Sequence, residues 1–584
     1  MRKEGINSRE VVDEETTVDQ ASNHSLDNGT QYQNAKNKQY SLLEEKQTVY
    51  RWFWFDKYLM TIGIIVMLLS QLYFSLTIQK INKEERKIDY ITEGFMGFEK
   101  DNSDSQWRAY SENFGLMVIA IIIFCLLSQS VRIFFGSAFA QHTFYIVFGV
   151  PYLIFLFRGN FLFWLFFTGI NFLLIEVFYK FSYFPLLIWT VNLITIYTND
   201  TYHGYNLVTF FHLPALQYLQ DTTKDQLVGW HSVFNMTILR MISFGMDKHW
   251  AFKNKRFIQQ DTHFKKCKQC QLKDPSSYCL KYRYDDPSNI KEFTLQHYFS
   301  YLVYTPLFIT GPPLTFNAFI SQINNPGQVR KSAFKYSLRA LFSYFCFEMW
   351  LHFDYSFAIT TKSQNAWLWE RFSPAFFFIC SFSSLVFIWF KFNTIWKVAR
   401  AWAMWDNIEA PENMNRCIYN NYNFEGFWRS WHRGFNQWLL RYIYFPLGGS
   451  KTKLWNIWVV FTFVAIWHDL KLNLLLWAWG ICICLIPEIG VKKYLEKQQF
   501  KKYTTSSWWK YLCAICASFY IIFMCYTNLI GFGMGWDTIN MFLNKSFSTI
   551  TGLLEFLQVV FILALVSLSQ FLIREHEDDP DKGF

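Results

Sequence analysis

Two histidines stand apart from the rest of the chain by their surroundings. His432 falls in the run Phe-Trp-Arg-Ser-Trp-His-Arg-Gly-Phe-Asn-Gln-Trp that spans 427–438, and His468 closes the almost wholly apolar segment 454–467 just before Asp469. An imidazole titrates near neutrality, so it can take the proton of a hydroxyl while that oxygen attacks a carbonyl carbon. An ionisable group at the end of so apolar a segment is costly in lipid, which makes His468 a candidate for such work. The alternative is a histidine satisfied by a backbone carbonyl or by Asp469. Around His432, helical spacing predicts an aromatic stripe of Phe427, Trp431, Phe435 and Trp438, with Arg429, His432, Arg433 and Asn436 on a separate polar face. That face suits either an anionic substrate or an interfacial helix whose arginines reach lipid phosphates. Trp467 and Asp469, flanking His468, complete the set of candidate binding residues.

Two further groupings carry chemistry in principle. Glu348 and His352 are four residues apart on one helix face, able to bind a metal or relay a proton, and are expected here as a buried, mutually satisfied pair. His263, Cys267, Cys270 and Cys279 sit in a polar loop at a spacing compatible with zinc. Spacing alone favours reduced thiols there, and the sequence reading assigns no metal and no cofactor.

The elements that must position these residues are apolar. Of the 584 residues 52% are hydrophobic and 21% aromatic, which points to one large membrane body. The mean hydropathy is only +0.07 because long polar tails dilute the spans. A net charge of +10 with scattered basic residues and abundant Trp and Tyr suits lipid headgroups rather than nucleic acid. Residues 1–49 are polar and aperiodic, a tail expected to be disordered, with sequons at Asn23 and Asn28. Spans are expected near 58–78, 114–135, 143–157, 161–178, 183–197, 374–390, 454–467, 472–487, 508–531 and 551–573. With the mixed segments 230–247, 295–311 and 343–360, the expectation is an all-α polytopic membrane protein of about eleven to twelve tilted and re-entrant helices. One membrane-embedded domain covers 50–573, with its core at 295–490, and 574–584 form a charged tail. Residues 391–423 read as a polar connection, and 230–247 as either an interior or a surface-lying helix.

The histidine blocks, with Arg-Tyr-Ile-Tyr-Phe-Pro-Leu-Gly-Gly-Ser (441–450) between them, resemble the membrane-bound O-acyltransferase (MBOAT) superfamily, and within it the glycerol uptake protein (Gup) branch. Asp-Asn-Ser-Asp-Ser-Gln-Trp (101–107), Tyr-Thr-Pro-Leu-Phe-Ile (304–309) and Pro-Glu-Asn-Met (411–414) share that resemblance. It implies that His468 is the catalytic histidine and His432 the second polar residue of the site. It also implies an acyl-CoA donor and, for the Gup branch, a lyso-glycosylphosphatidylinositol (lyso-GPI) lipid or GPI-anchored protein as acceptor, in the endoplasmic reticulum membrane, with the plasma membrane as the alternative. The related Hedgehog acyltransferases carry Asp where this chain has His432, whereas bacterial O-acyltransferases resemble it at Trp431-His432, which implies a hydroxyl acceptor. In the Hedgehog branch a cysteine placed like Cys417 after Arg416 holds haem, so the resemblance leaves haem at Cys417 open. A glycerol transporter or regulator of uptake, a protein acyltransferase and a non-catalytic scaffold remain the competing readings.

Overall fold

A computed structural model describes residues 52–576 except 257–259, 496, 505 and 534. The amino-terminal tail, both sequons and residues 577–584 lie outside the described residues. Helices form where the sequence runs apolar: α1 (Trp54–Lys80), α2 (Phe114–Phe134), α3 (Ala138–Phe157), α4 (Phe161–Phe178), α5 (Phe184–Tyr202), α6 (Trp230–Phe252) and α7 (Arg330–Phe353). They continue as α8 (Pro374–Trp405), α9 (Phe424–Ser430), α10 (Arg433–Leu439), α11 (Lys453–His468), α12 (Leu472–Leu495), α13 (Trp509–Phe532) and α14 (Ile550–His576). Between α1 and α2 two three-residue strands, β1 (Ile91–Glu93) and β2 (Glu99–Asp101), pair antiparallel with Ile91 opposite Asp101.

Seven stretches among the described residues are long and apolar enough to cross a membrane: Trp54–Glu85, α2, Ala138–Phe178, α8, α12, α13 and α14. The chain is a multi-pass membrane protein. α2 is only 11% buried over its most apolar window, as befits a helix facing lipid, whereas α13 is 61% buried and lies inside the bundle. The long helices α1–α8 and α11–α14 number twelve, against the eleven to twelve expected, α11 being shortest at 16 residues; the segment expected at 295–311 forms only an eight-residue helix, Leu295–Leu302, and a 3₁₀ turn, Thr305–Leu307. α11 packs on α12, α12 on α13, α13 on α14 and α14 on α1, while α8 packs against α7, α13 and α14.

Three expectations change. α6 is interior, since every residue from Thr237 to Trp250 is buried, including Arg240 and Asp247. Its ions are satisfied there: Arg240 donates to the carbonyls of Tyr301 (3.0 Å) and Leu302 (2.7 Å), and Asp247 accepts from Arg441 at 2.9 Å. α8 does not stop near Phe390 but runs 32 residues, about 48 Å at 1.5 Å per residue. It starts cleanly, with Ser373 as N-cap and Pro374 in the first turn. It continues because Lys391 pairs with Asp104 at 2.6 Å and Lys397 with Glu412 at 3.4 Å, so charges that read as a solvent loop are spent inside the protein. Finally, Glu348 and His352 do not satisfy each other through their side chains. Glu348 accepts from Lys100 (2.6 Å) and the Trp107 indole (2.9 Å), and His352 Nε2 accepts from the Phe95 amide (3.0 Å). Together they pin the β1–β2 hairpin and the short helix after it, Ser105–Glu112, onto α7.

Candidate active site

His432 owes its position to a break that helical spacing does not foresee. α9 ends at Ser430, Trp431 is extended, and His432 adopts the left-handed conformation (φ 48°, ψ 47°) before α10 begins. That conformation costs a non-glycine residue on the order of 1–2 kcal/mol and needs enforcement. The loop Pro411–Met414 supplies it. Asn413 accepts from the Arg433 amide through its carbonyl (3.1 Å) and from the Gly434 amide through Oδ1 (2.9 Å), while Met414 forms an isolated antiparallel bridge with Trp431. The approach is so close that a Cβ on Gly434 would lie 2.8 Å from Asn413 Oδ1 and 2.8 Å from Pro411 Cγ, so position 434 must be glycine. The resulting imidazole stacks on Trp396 of α8, ring centroids 4.3 Å apart and 16° between planes.

His468 is the last residue of α11, whose start is clamped by Asn456. That side chain donates to the carbonyls of Tyr444 (3.2 Å) and Gly449 (3.1 Å), gripping the Gly448-Gly449 turn, where both residues take positive φ. At the other end α6 grips the helix. Asn235 Nδ2 donates to the Trp467 carbonyl (2.8 Å), and the Trp467 indole donates to the Asn235 carbonyl (2.9 Å). This reciprocal clasp satisfies one of the carbonyls that a helix end leaves orphaned. The His468 ring lies against Trp477 (5.9 Å) and Phe532 (5.5 Å), and Trp467 stands between the histidines, its ring 4.8 Å from His468 and 6.4 Å from His432.

Both histidines line one cavity of about 850 Å³, near the upper end of the roughly 300–1,000 Å³ typical of ligand pockets. Its wall is mostly apolar and aromatic, with Ile388, Trp428, Val460, Phe461 and Val464 among the lining residues. Among the described residues neither imidazole makes a hydrogen bond to protein, so neither is a structurally satisfied histidine, and His468 is exposed to the cavity. Asp469 points elsewhere: its carboxylate pairs with Lys471 at 2.5 Å. Partial burial works against ionisation of Asp469, but hydrogen bonds from Lys471 and Asp200 outweigh it and hold the carboxyl below its usual range.

Of the binding residues read from sequence, Arg429, Asn436 and Trp467 line the cavity, whereas Arg433 and Asp469 do not. Arg433 is displaced because the break at His432 ends the polar face it was expected to share. Lys391 and Lys453 line the cavity in its place, together with Asp104, Gln106 and Glu425. Arg429 is held by Glu425 at 2.8 Å, and Lys492 meets the same carboxylate at 2.9 Å. Burial pushes the Glu425 carboxyl up, but the Lys492 hydrogen bond and the surrounding positive charge outweigh it and leave it below its usual range. Trp396, Asn413 and Asn235 escaped the sequence reading as site residues. Only Asn413 carried a signal, as part of the Pro-Glu-Asn-Met motif. Cys417 is exposed at the head of a 3₁₀ turn.

Two imidazoles without hydrogen-bond partners, facing an apolar chamber with cationic groups on its wall, suit acyl transfer from an anionic thioester to a hydroxyl. Residues 217–536 match the family model of the membrane-bound O-acyltransferases, and they contain both histidines. The chain belongs to the MBOAT family. It is 34% identical over 502 residues to the membrane-bound O-acyltransferase GUP1 of Saccharomyces cerevisiae, covering 83% of this chain and 85% of that one. It is 30% identical over 499 residues to gup1 of Schizosaccharomyces pombe, again a membrane-bound O-acyltransferase, covering 84% and 83% respectively. A partial match, 28% over 214 residues, reaches the mouse protein-cysteine N-palmitoyltransferase HHAT, covering 34% of this chain and 40% of that one. As an MBOAT the chain is an acyltransferase, using acyl-CoA and a lipid or protein acceptor.

Proposed function

We propose that this MBOAT transfers a long-chain acyl group from acyl-CoA to the free hydroxyl of a lyso-GPI lipid, in the endoplasmic reticulum membrane, with His468 as general base. The observation that carries the chemistry is the placement of two unpartnered imidazoles, His432 and His468, on the wall of one 850 Å³ apolar cavity. The acceptor hydroxyl gives its proton to neutral His468 as its oxygen attacks the thioester carbonyl. The new C–O bond forms, the C–S bond breaks, and the proton returns to the departing thiolate of CoA. The developing oxyanion takes hydrogen bonds from His432 or Asn436, both on the same wall. Direct transfer needs no covalent enzyme intermediate.

The acyl chain fits the apolar wall, where each buried methylene contributes about 0.8 kcal/mol. Arg429 and Lys453, both on the cavity wall, suit the phosphates of CoA. The preference for a GPI lipid rests on the likeness to the Gup proteins alone, since no side chain in the cavity is specific for an inositol lipid. The test is transfer of labelled acyl-CoA to lyso-GPI lipids in membranes containing the protein. His468→Ala should lower the rate by about 100 to 10,000-fold at unchanged protein level. Wild-type turnover in that variant removes His468 from the chemistry, and transfer to other lyso-lipids but never to lyso-GPI overturns the acceptor. Glycerol flux through liposomes that His468→Ala leaves intact, with no acyl transfer, replaces the enzyme reading with a transporter.

A further inference from the structure

The loop between α6 and the short helix Leu295–Leu302 gathers, among the described residues, one cluster of cysteines with a histidine, far along the sequence from His432 and His468. One ligand atom from each of His263, Cys267, Cys270 and Cys279 lies within 4.8 Å of all the others. A tetrahedral zinc with bonds of about 2.0–2.3 Å sets its ligand atoms roughly 3.5–3.8 Å apart, so these four need only a small contraction to enclose it. His263 and Cys267 come from the end of the helix Gln260–Lys266, Cys270 from the turn after it, and Cys279 caps the helix Leu280–Asp285. The Cys270 amide donates to the Cys267 carbonyl at 3.0 Å, closing a tight Cys-x-x-Cys turn.

The sulfurs are already oriented as a metal would require. The Cys279 amide donates to Cys270 Sγ (3.3 Å), the Tyr282 amide to Cys279 Sγ (3.4 Å), and Cys279 Sγ meets His263 Nε2 at 3.3 Å. Amide donors of this kind lower the charge on thiolates bound to a cation and fix their direction. Phe264, Tyr278 and Tyr282 pack around the cluster, the Tyr282 ring 5.5 Å from that of His263. None of the three cysteines is in a disulfide, and a disulfide would use two sulfurs and leave the third and the imidazole without a purpose. The loop 253–294 holds ten Lys and Arg against five Asp and Glu, the bias of a cytosol-facing loop, where thiols stay reduced and such spacings serve metals.

We infer that His263, Cys267, Cys270 and Cys279 form a closed structural zinc site that clips this loop to the body of the enzyme. Three thiolates and one imidazole fill a tetrahedral shell, leaving no open position for substrate. The clip has a purpose in the fold. Cys279 heads the helix Leu280–Asp285, whose Arg283 donates to the carbonyls of Tyr278, Pro275, Ser276, Ser321 and Asn325. From the same helix Tyr284 donates to the Pro313 carbonyl at 2.9 Å and Asp285 pairs with Arg441, in the segment that follows His432 and α10. The zinc therefore braces the outer side of the element that carries His432.

The experiment is elemental analysis of the full-length protein, purified in detergent without chelators. About one zinc per chain is expected. Cys267→Ser and Cys279→Ser should lose it, while Cys417→Ser should retain it. Should the variants fail to fold, the wild-type protein answers by itself. After chelation and reconstitution with cobalt(II) it should show thiolate-to-metal charge-transfer and tetrahedral d–d bands. Before chelation the three thiols should resist a maleimide that labels the exposed Cys417, and after it they should react. Folded, monodisperse protein with zinc below about a tenth of an equivalent, iron in its place, or a disulfide between any two of the three cysteines overturns the site.

Discussion

Asn235→Ala removes a single hydrogen bond, from the amide of α6 to the Trp467 carbonyl one residue before His468 (2.8 Å). The other half of the clasp survives, because the Trp467 indole donates to the backbone carbonyl of residue 235. Leaving a buried carbonyl without its donor costs about 1–3 kcal/mol. In a chain this large that should lower the melting temperature by no more than about 5 °C. Activity should suffer more, since the carbonyl belongs to the last turn of α11 and its release lets the His468 ring shift, and a displacement of about 1 Å at a reacting group can cost 100-fold. Initial rates against acyl-CoA concentration in proteoliposomes should therefore show kcat down by about 10 to 100-fold with KM for the donor little changed. Asn235→Asp should be worse than Asn235→Ala, because a carboxylate then faces the carbonyl. A variant with wild-type kcat would refute the view that α6 positions His468. A loss that merely tracks the unfolded fraction in the melting curve would reduce Asn235 to a packing residue.

Gly434→Ala should cost at least tenfold in transfer rate and about 1–3 kcal/mol in stability, read by melting and by rate, because its Cβ would meet Asn413 Oδ1 and Pro411 Cγ, each at 2.8 Å. Asp247→Ala strips Arg441 of a buried partner at 2.9 Å and should destabilise the protein by about 3–5 kcal/mol, visible as poor recovery after detergent extraction. Glu425 titrates below its ordinary 4.5, so the stability it draws from Lys492 and Arg429 is fully present above pH 4.5 and fades as acid carries the pH through the depressed value. Glu425→Gln should accordingly flatten the melting temperature against pH in that acid range and leave the slope above pH 5 unchanged.

The spans, the all-helical body and His468 at the end of an apolar helix were legible in the sequence, because each depends on runs of neighbouring residues whose cost in water or lipid is local. The boundaries of α2, α4 and α13 fall within a residue or two of those read from hydropathy alone. What periodicity cannot register is an interaction with a distant segment. The polar face drawn through Arg429, His432, Arg433 and Asn436 presumes one unbroken helix. Asn413, from a loop before α9, bends it at His432, turns that side chain into the cavity and takes Arg433 out of it. Lys391 and Lys397 look like loop residues until Asp104 and Glu412 come to meet them and α8 runs on. Asn235 reads as one polar residue in a mixed helix, and only the packing of α6 against α11 gives it Trp467 to hold. The four zinc-type ligands likewise have suggestive spacing in the chain, but only the fold, by bringing the two short helices together, closes them into a cage. Residue types and their order determined which groups were available for chemistry. Contacts between segments far apart in sequence decided which of them share a site, because the hydrogen bonds and ion pairs that break a helix or extend one are made across the fold.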